Sequence, residues 1–167
     1  MTYFIIIRGP LGIGKSTIAR YLAETIGGEY FSIDDLLKEH NLDNIDKNEA
    51  CIPARNFIKA TKFILSRARE CLENKQIVIF DGNFYHKEQI EDLIENLSKY
   101  QHFIFTLSAP LDICIDRDKK RKNTYGEGAA IAVYNLVSKV KYGINIETNN
   151  NSIEEVTNMI LSYLPKH

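Results

Sequence analysis

The sequence predicts an α/β fold in which a parallel β-sheet is covered by helices on both faces. Three observations predict it. Five short apolar runs alternate along the chain with longer segments whose apolar residues recur every three or four positions. The short runs are nearly continuous in apolar residues, as in strands buried on both sides. The first run leads through Gly9-Pro10-Leu11-Gly12-Ile13-Gly14-Lys15-Ser16 into the first helical segment, a strand–loop–helix unit with its glycines and lysine at fixed spacing.

Tyr3 to Ile7 reads as the first strand. Ile18, Ala19, Leu22, Ala23 and Ile26 share one helical face behind the loop, and Gly27-Gly28 stops that helix. Glu29 to Ile33 reads as a second strand ending at Asp34-Asp35, where a short helix begins with a carboxylate as its cap. The polar stretch His40 to Asn48 has no period and reads as a loop. Pro53 stands in the first turn of a long helix carried to about Asn74 by Phe57, Ile58, Ile64, Leu65, Ala68, Cys71 and Leu72.

Gln76 to Phe80 reads as a third strand, closed by Asp81-Gly82-Asn83, and Ile90, Leu93, Ile94 and Leu97 mark the helix after it. Phe103 to Leu107 is a fourth strand, closed by Ala109-Pro110, and Leu111 to about Asp118 a further helix. Lys119 to Gly128 is polar, basic and glycine-bearing. Ala129, Val133, Leu136, Val137 and Val140 mark another helix, and Gly143 to Thr148 the last strand. Ser152-Ile153-Glu154-Glu155 is a capping box opening a final helix whose inner face is Ile153, Val156, Ile160 and Leu164.

The chain of 167 residues has the length of one domain, 1–167, and its 44% apolar and 26% charged residues suit a buried core with a solvated surface. A formal net charge of −1 gives no support for broad affinity for nucleic acid or anionic membrane, and a small-molecule partner is favoured over nucleic acid. Cys51, Cys71 and Cys114 are odd in number and have no close pair, which argues against a disulfide framework and a zinc cluster; each reads as a small buried hydrophobe. The first strand begins almost at the amino terminus, and no apolar run approaches the ~20 residues that span a bilayer. A cytoplasmic protein is expected, a monomer or a homodimer, with no membrane partner.

The glycine loop carries the first chemistry. Glycines let successive backbone N–H groups turn inward into a concave anion site, and the helix behind adds the positive end of its dipole. The loop therefore reads as a triphosphate site made by Gly9, Leu11, Gly12, Ile13, Gly14, Lys15, Ser16 and Thr17. Lys15 reaches the β- and γ-phosphates, and the Ser16 hydroxyl ligates Mg²⁺. In a parallel sheet ligands sit beyond the carboxyl ends of the strands. That places Asp34, Asp35, Asp81, Gly82 and Asn83 at the same rim as the loop. Asp34 is the expected general base and, with Asp81, a further Mg²⁺ contact; Asp35, Gly82 and Asn83 face the second substrate. Arg117 and Arg121, four apart in a basic cluster, are expected to quench charge on the transferred group, with Gly126 and Gly128 as hinges. Arg55 and His86 are weaker substrate candidates, and Lys119, Lys120 and Lys122 read as a solvated helix end.

With these pieces placed, the chain resembles the small P-loop kinases of the adenylate-kinase-like superfamily. The glycine loop, Asp34 after the second strand and the pair Arg117-x-x-x-Arg121 carry the resemblance, which runs through most of the chain. Asp81-Gly82-Asn83-Phe84-Tyr85, Ala109-Pro110-Leu111 and the Thr148 region resemble predicted kinases grouped with polynucleotide, gluconate, shikimate and adenylylsulfate kinases. The resemblance implies a three-layer fold with strand order 2-3-1-4-5, a short lid over about 117–128, and an adenine pocket between the lid and the loop after the last strand. It favours ATP over GTP.

The chain departs from two of these groups. Polynucleotide kinases carry an arginine three residues after the catalytic Asp, where this chain has Leu37. Shikimate kinases carry Asp-x-Asp and Gly-Gly where this chain has Asp34-Asp35 and Gly82-Asn83. The expected activity is transfer of the γ-phosphoryl group of MgATP to a hydroxyl of a small-molecule acceptor. A nucleic-acid end or nucleotide is the alternative acceptor, and a nucleotide-dependent switch without transfer is the alternative of another class.

Overall fold

The continuous apolar run near the amino terminus becomes the centre of the sheet. In the computed structural model, which describes residues 2–165, β1 (Tyr3–Arg8) is buried at all six positions. It is flanked by β3 (Val78–Gly82), buried throughout, and by β4 (Gln101–Ser108). The outer strands are β2 (Glu29–Ser32) and β5 (Ile144–Glu147). Among the described residues the sheet has five strands in the order β2-β3-β1-β4-β5, every pairing parallel. Order and direction are those expected.

The two-residue period of a strand sends alternate side chains to opposite faces, and each face has its own core. Tyr3, Ile5 and Ile7 of β1 join Ile79, Phe105 and Leu107 beneath α1 (Lys15–Ile26) and α8 (Ile153–Ser162). Phe4 and Ile6 join Val78, Phe80 and Ile104 on the other face, beneath α2 (Ile33–Glu39), α3 (Ala54–Lys62), α4 (Leu65–Glu73), α5 (Lys87–Asn96) and α7 (Glu127–Lys139). A fully buried Ile, Leu or Phe contributes about 1.5–3 kcal/mol. Cys51, Cys71 and Cys114 are buried and unbridged, as expected. Among the described residues no helix is long and apolar enough to cross a membrane.

Four sequence expectations shift. The long helix after Pro53 is two helices, α3 and α4, and Pro53 is the cap residue rather than part of the first turn. The Thr61 hydroxyl donates to the Phe57 carbonyl at 2.9 Å, and the amides of Phe63 and Ile64 bond only three residues back, so the helix tightens and re-aims. The carboxylates of Asp34 and Asp35 do not cap α2. Ser32 does, its Oγ accepting from the Asp35 amide at 3.2 Å. Strand β3 continues through Asp81 and Gly82, because pairing with Ile7 and Arg8 of β1 outweighs the turn preference of those residues. The capping box of α8 forms as read, but Ile153 is exposed at the helix mouth, and burial begins at Val156.

A sixth helix, α6 (Leu111–Lys119), leads from β4 into the basic segment, which runs without regular structure to α7.

Candidate active site

The loop between β1 and α1 closes on itself as the glycine spacing requires. Gly12 has φ +74°, and a Cβ there would collide with the carbonyl oxygen of Cys114 in α6; Gly14 caps α1 at φ +93°. Gly12→Ala is therefore expected to cost about 1–3 kcal/mol of stability, the range for a strained backbone conformation, and to open the loop. Urea denaturation against the unsubstituted protein checks the first effect, and titration with ATP the second.

Lys15, first residue of α1, is buried, with its Nζ 3.5 Å from the Pro10 carbonyl oxygen and 3.7 Å from Asp34 Oδ2. Asp34 lies in the first turn of α2, and its Oδ1 accepts from the Asn83 amide at 3.3 Å. Strand β2, the Ser32 cap and the end of β3 thus hold one carboxylate against the loop lysine. Asp35, one residue on, turns away. It is exposed and meets Arg20 at 3.9 Å on the outer side of the sheet, so the expectation that it faces a substrate fails geometrically.

Asp81 is buried between the loop and β2. Its Oδ2 accepts from the Tyr30 hydroxyl at 2.7 Å, and its Oδ1 has no protein partner. Burial pushes the Asp81 carboxyl above the ordinary carboxylate range; Lys15 and the Ser16 hydroxyl pull the other way, and Asp34 adds to the rise. Burial, with Asp81 second, pushes the Tyr30 hydroxyl up to about 12. An orphaned buried carboxylate oxygen beside a serine hydroxyl and a phosphate cradle suits Mg²⁺, which binds hard oxygen ligands and keeps several waters. Ser16 would hold it directly and Asp81 through water.

The sign of the Asp81 shift gives a stability prediction. The unfolded chain ionises this group near pH ~4. The folded chain holds the proton longer, so stability falls as pH rises from there through the folded value and stays low above it. Asp81→Asn is expected to melt higher than the unsubstituted protein at pH 8 and to lose that advantage at pH 4, while weakening the Mg²⁺-dependent part of nucleotide binding. Thermal melts with and without Mg·ADP check both.

The arginine pair reaches the same place. Arg117, in the last turn of α6, donates from Nη1 to Thr148 Oγ1 at 3.0 Å and from Nη2 to the Thr148 carbonyl at 3.3 Å. Arg121 lies just past α6, with Nη1 3.7 Å from the buried Asp118 Oδ1. Both line a cleft of about 250 Å³ together with Gly12, Gly14, Lys15, Ser16 and Thr17. A second cleft, lined by Arg117, Thr148, Asn151 and Ser152, continues it beyond β5, where the resemblance implies an adenine pocket. Lys119 and Lys120 pair with the exposed carboxylates of Glu127 and Asp116, in keeping with a solvated helix end.

On the far side of Asp34 a cavity of about 190 Å³ opens between α2, the loop before α3, the end of β3 and α7. Asn83 lines it. Gly82 lies beneath, its missing Cβ leaving room for Ile33 and the Phe84 ring. Arg55 is not in the cavity. It is exposed and clamps the outside of the loop, meeting Asp46 Oδ2 at 2.8 Å and Glu49 Oε1 at 3.0 Å. His86 serves the same wall, its Nε2 2.7 Å from the Ile52 carbonyl oxygen.

Two residues of this region escaped the sequence reading. Arg8, the last residue of β1, is fully buried. It donates to the carbonyls of Phe84 (3.1 Å), Val140 (2.8 Å) and Val137 (3.1 Å) and to Thr106 Oγ1 (2.9 Å). Burial lowers its guanidinium to about 10, leaving it charged at neutral pH. Carbonyls at the end of α7, where the helix dipole is negative, offset part of the burial cost. Arg8 thereby ties the rim of β1 to α7 and to the Phe84 turn, whose φ of +45° is unusual for a bulky residue. Asp118 is the other; its Oδ2 accepts from the Thr124 hydroxyl (2.7 Å) and the Tyr125 amide (3.2 Å) and so wraps the basic segment. A charge closing an apolar run and an acid between two arginines were the only hints of either.

This geometry has known counterparts. Residues 4–135 match the model of the AAA domain family AAA_33. The chain belongs to that AAA domain family. Its described fold is the P-loop kinase fold: 95% of the chain superposes on 89% of a gluconokinase from Sinorhizobium meliloti 1021, with a TM-score of 0.71 at 13% identity. It likewise superposes over 96% of its length on 90% of a shikimate kinase from Acinetobacter baumannii in complex with shikimate, with a TM-score of 0.59 at 20% identity. In sequence, this AAA domain chain is 24% identical over 162 residues to a protein from Thermococcus gammatolerans named "Putative adenylate kinase", spanning 97% of the chain and 85% of that protein. The family match takes in β1 from Phe4 onward, the glycine loop, Asp34, Asp81 and both arginines.

Proposed function

We propose that the protein transfers the γ-phosphoryl group of MgATP to a hydroxyl of a small-molecule acceptor. The observation that carries this reading is the position of Asp34. It stands between the loop lysine, 3.7 Å from its carboxylate, and the cavity on the other side. A phosphoryl group held at Lys15 and a hydroxyl entering from the cavity would meet beside it.

The loop amides and Lys15 bind and orient the β- and γ-phosphates, and Mg²⁺, when bound at Ser16 and Asp81, supplies charge neutralisation between the phosphate oxygens. Asp34 takes the proton of the attacking hydroxyl. Arg117 and Arg121, over the loop on the lid side, compensate the charge that spreads over the transferring group. Segment 117–128, wound around Asp118, acts as the lid that excludes water and limits wasteful hydrolysis.

The structural neighbours support a kinase chemistry without deciding the acceptor, since gluconokinase and shikimate kinase by their names serve different ones. A coupled assay of ADP release, run against metabolite alcohols, nucleosides and RNA ends, tests the proposal. Release stimulated by a hydroxyl compound, with the phosphate recovered on it, is the expected result. Tight nucleotide binding with transfer to no acceptor would favour a nucleotide-dependent switch instead.

A further inference from the structure

The cavity beside Asp34 also says what kind of acceptor it takes, given that this is the acceptor site of the kinase proposed above. Its walls are apolar, formed by Leu37, Ile52, Tyr85, Val133 and Leu136, with Tyr125 of the basic segment at its mouth. Among the described residues that line it there is no arginine. Its single ammonium, Lys38, lies 4.9 Å from the centre of the Tyr125 ring. Two carboxylates, Asp34 and Asp43, share the cavity with that one cation. Arg55, at the start of α3, is drawn outward to Asp46 and Glu49, and Arg8 is spent on main-chain carbonyls of Phe84, Val137 and Val140.

A phosphate- or carboxylate-bearing acceptor needs the opposite arrangement, a fork of donors and an excess of positive charge. A polyol needs many polar partners, and the apolar walls offer few. One polar group does wait for a partner. Asn83 is about nine-tenths buried, lines the cavity, and its side-chain oxygen has no hydrogen bond within the protein. The oxygen is itself closed to solvent, so a rotation of the Asn83 amide is what would bring it to a donor on the occupant.

We infer that the acceptor is an uncharged alcohol with an apolar or aromatic body, carrying a second hydroxyl or an N–H that donates to Asn83. The reacting hydroxyl faces Asp34, the body fills the space between α2 and α7, and Tyr125 closes over it as the basic segment settles.

Calorimetric titrations of the Mg·ADP-loaded protein test this, with thymidine and 1-phenyl-1,2-ethanediol as uncharged probes and gluconate, shikimate and AMP as anionic ones. The uncharged probes are expected to bind at least about tenfold more tightly than the anionic ones. Val133→Asp, which places a charge in the apolar wall, is expected to weaken them about tenfold or more and to leave ADP affinity unchanged. Ala132→Arg, at an exposed position of the cavity rim where folding is not at stake, is expected to raise AMP affinity several-fold. Failure of both uncharged probes to bind, anionic probes that bind as tightly, or no gain for AMP in the arginine variant would each overturn the inference. Phosphoryl transfer is read separately. Transfer to an anionic alcohol would overturn this inference and leave the kinase reading standing, whereas tight binding of uncharged probes with no transfer to any hydroxyl would do the reverse.

Discussion

Lys15→Met is expected to lower phosphoryl transfer by about 10²–10³-fold, the range for removing one preorganised charge donor from a transition state. The side chain is nearly isosteric, and the lysine stem is already buried, so the fold should hold. What is lost is the ammonium suspended between the Pro10 carbonyl and Asp34, the point where the γ-phosphate would sit. The loop amides remain, so nucleotide binding should weaken by less than transfer does. Single-turnover transfer from labelled ATP, beside a titration of nucleotide affinity, separates the two. Undiminished transfer would remove Lys15 from the chemistry.

Asp34→Asn is expected to have an effect of similar or larger size, about 10²–10⁴-fold on turnover, the range for losing a general base. The replacement keeps the shape, and its amide oxygen can still accept from the Asn83 backbone N–H, so the turn after β3 should stay in place. On the proposed role, in which Asp34 serves the acceptor while the loop amides and Lys15 hold the phosphates, ATP affinity should change little. A loss falling almost entirely on kcat is the signature of a group acting only in the transition state. Equal losses in turnover and ATP affinity would assign Asp34 to nucleotide or metal binding instead.

How much of this was legible in the sequence depends on how local the cause was. The parallel sheet was legible because β1, β3 and β4 are continuous apolar runs, and because the glycine loop fixes where the first strand ends; its strand order came only from the family resemblance, since pairing between distant strands leaves no periodic signal. The capping box at Ser152 and Glu155 is a contact between near neighbours, and it formed as read. The break between α3 and α4 was not legible, since apolar spacing runs on through it while Thr61 and two three-residue turns redirect the chain.

The site divides in the same way. Lys15, Ser16 and Thr17 follow from a contiguous motif. Asp34 and Asp81 follow from the rule that ligands gather at the carboxyl ends of parallel strands, the two arginines from their four-residue spacing in a basic cluster, and the structure brings all of them to one rim. Asp35 obeyed the strand-end rule by position, and Arg55 stood at the start of a helix within reach of an acceptor, but both failed by direction. Within a helix turn adjacent residues point far apart, and Arg55 found two carboxylates on the outer loop. Arg8 was invisible because its acceptors lie 76 to 132 residues further along the chain, three of them main-chain carbonyls that no side-chain motif reveals.

The central claim is that one rim holds both the triphosphate and the base that acts on the acceptor. A crystal structure of the protein with Mg²⁺, ADP and aluminium fluoride tests it most directly, since the fluoride stands in for the transferring phosphoryl group. The account predicts the β-phosphate in the Gly9–Ser16 cradle, the magnesium on the Ser16 hydroxyl with Asp81 behind it, and the fluoride between Lys15 and Asp34 at the mouth of the cavity. A nucleotide whose phosphates lie outside that cradle, or a fluoride facing away from Asp34, would contradict it.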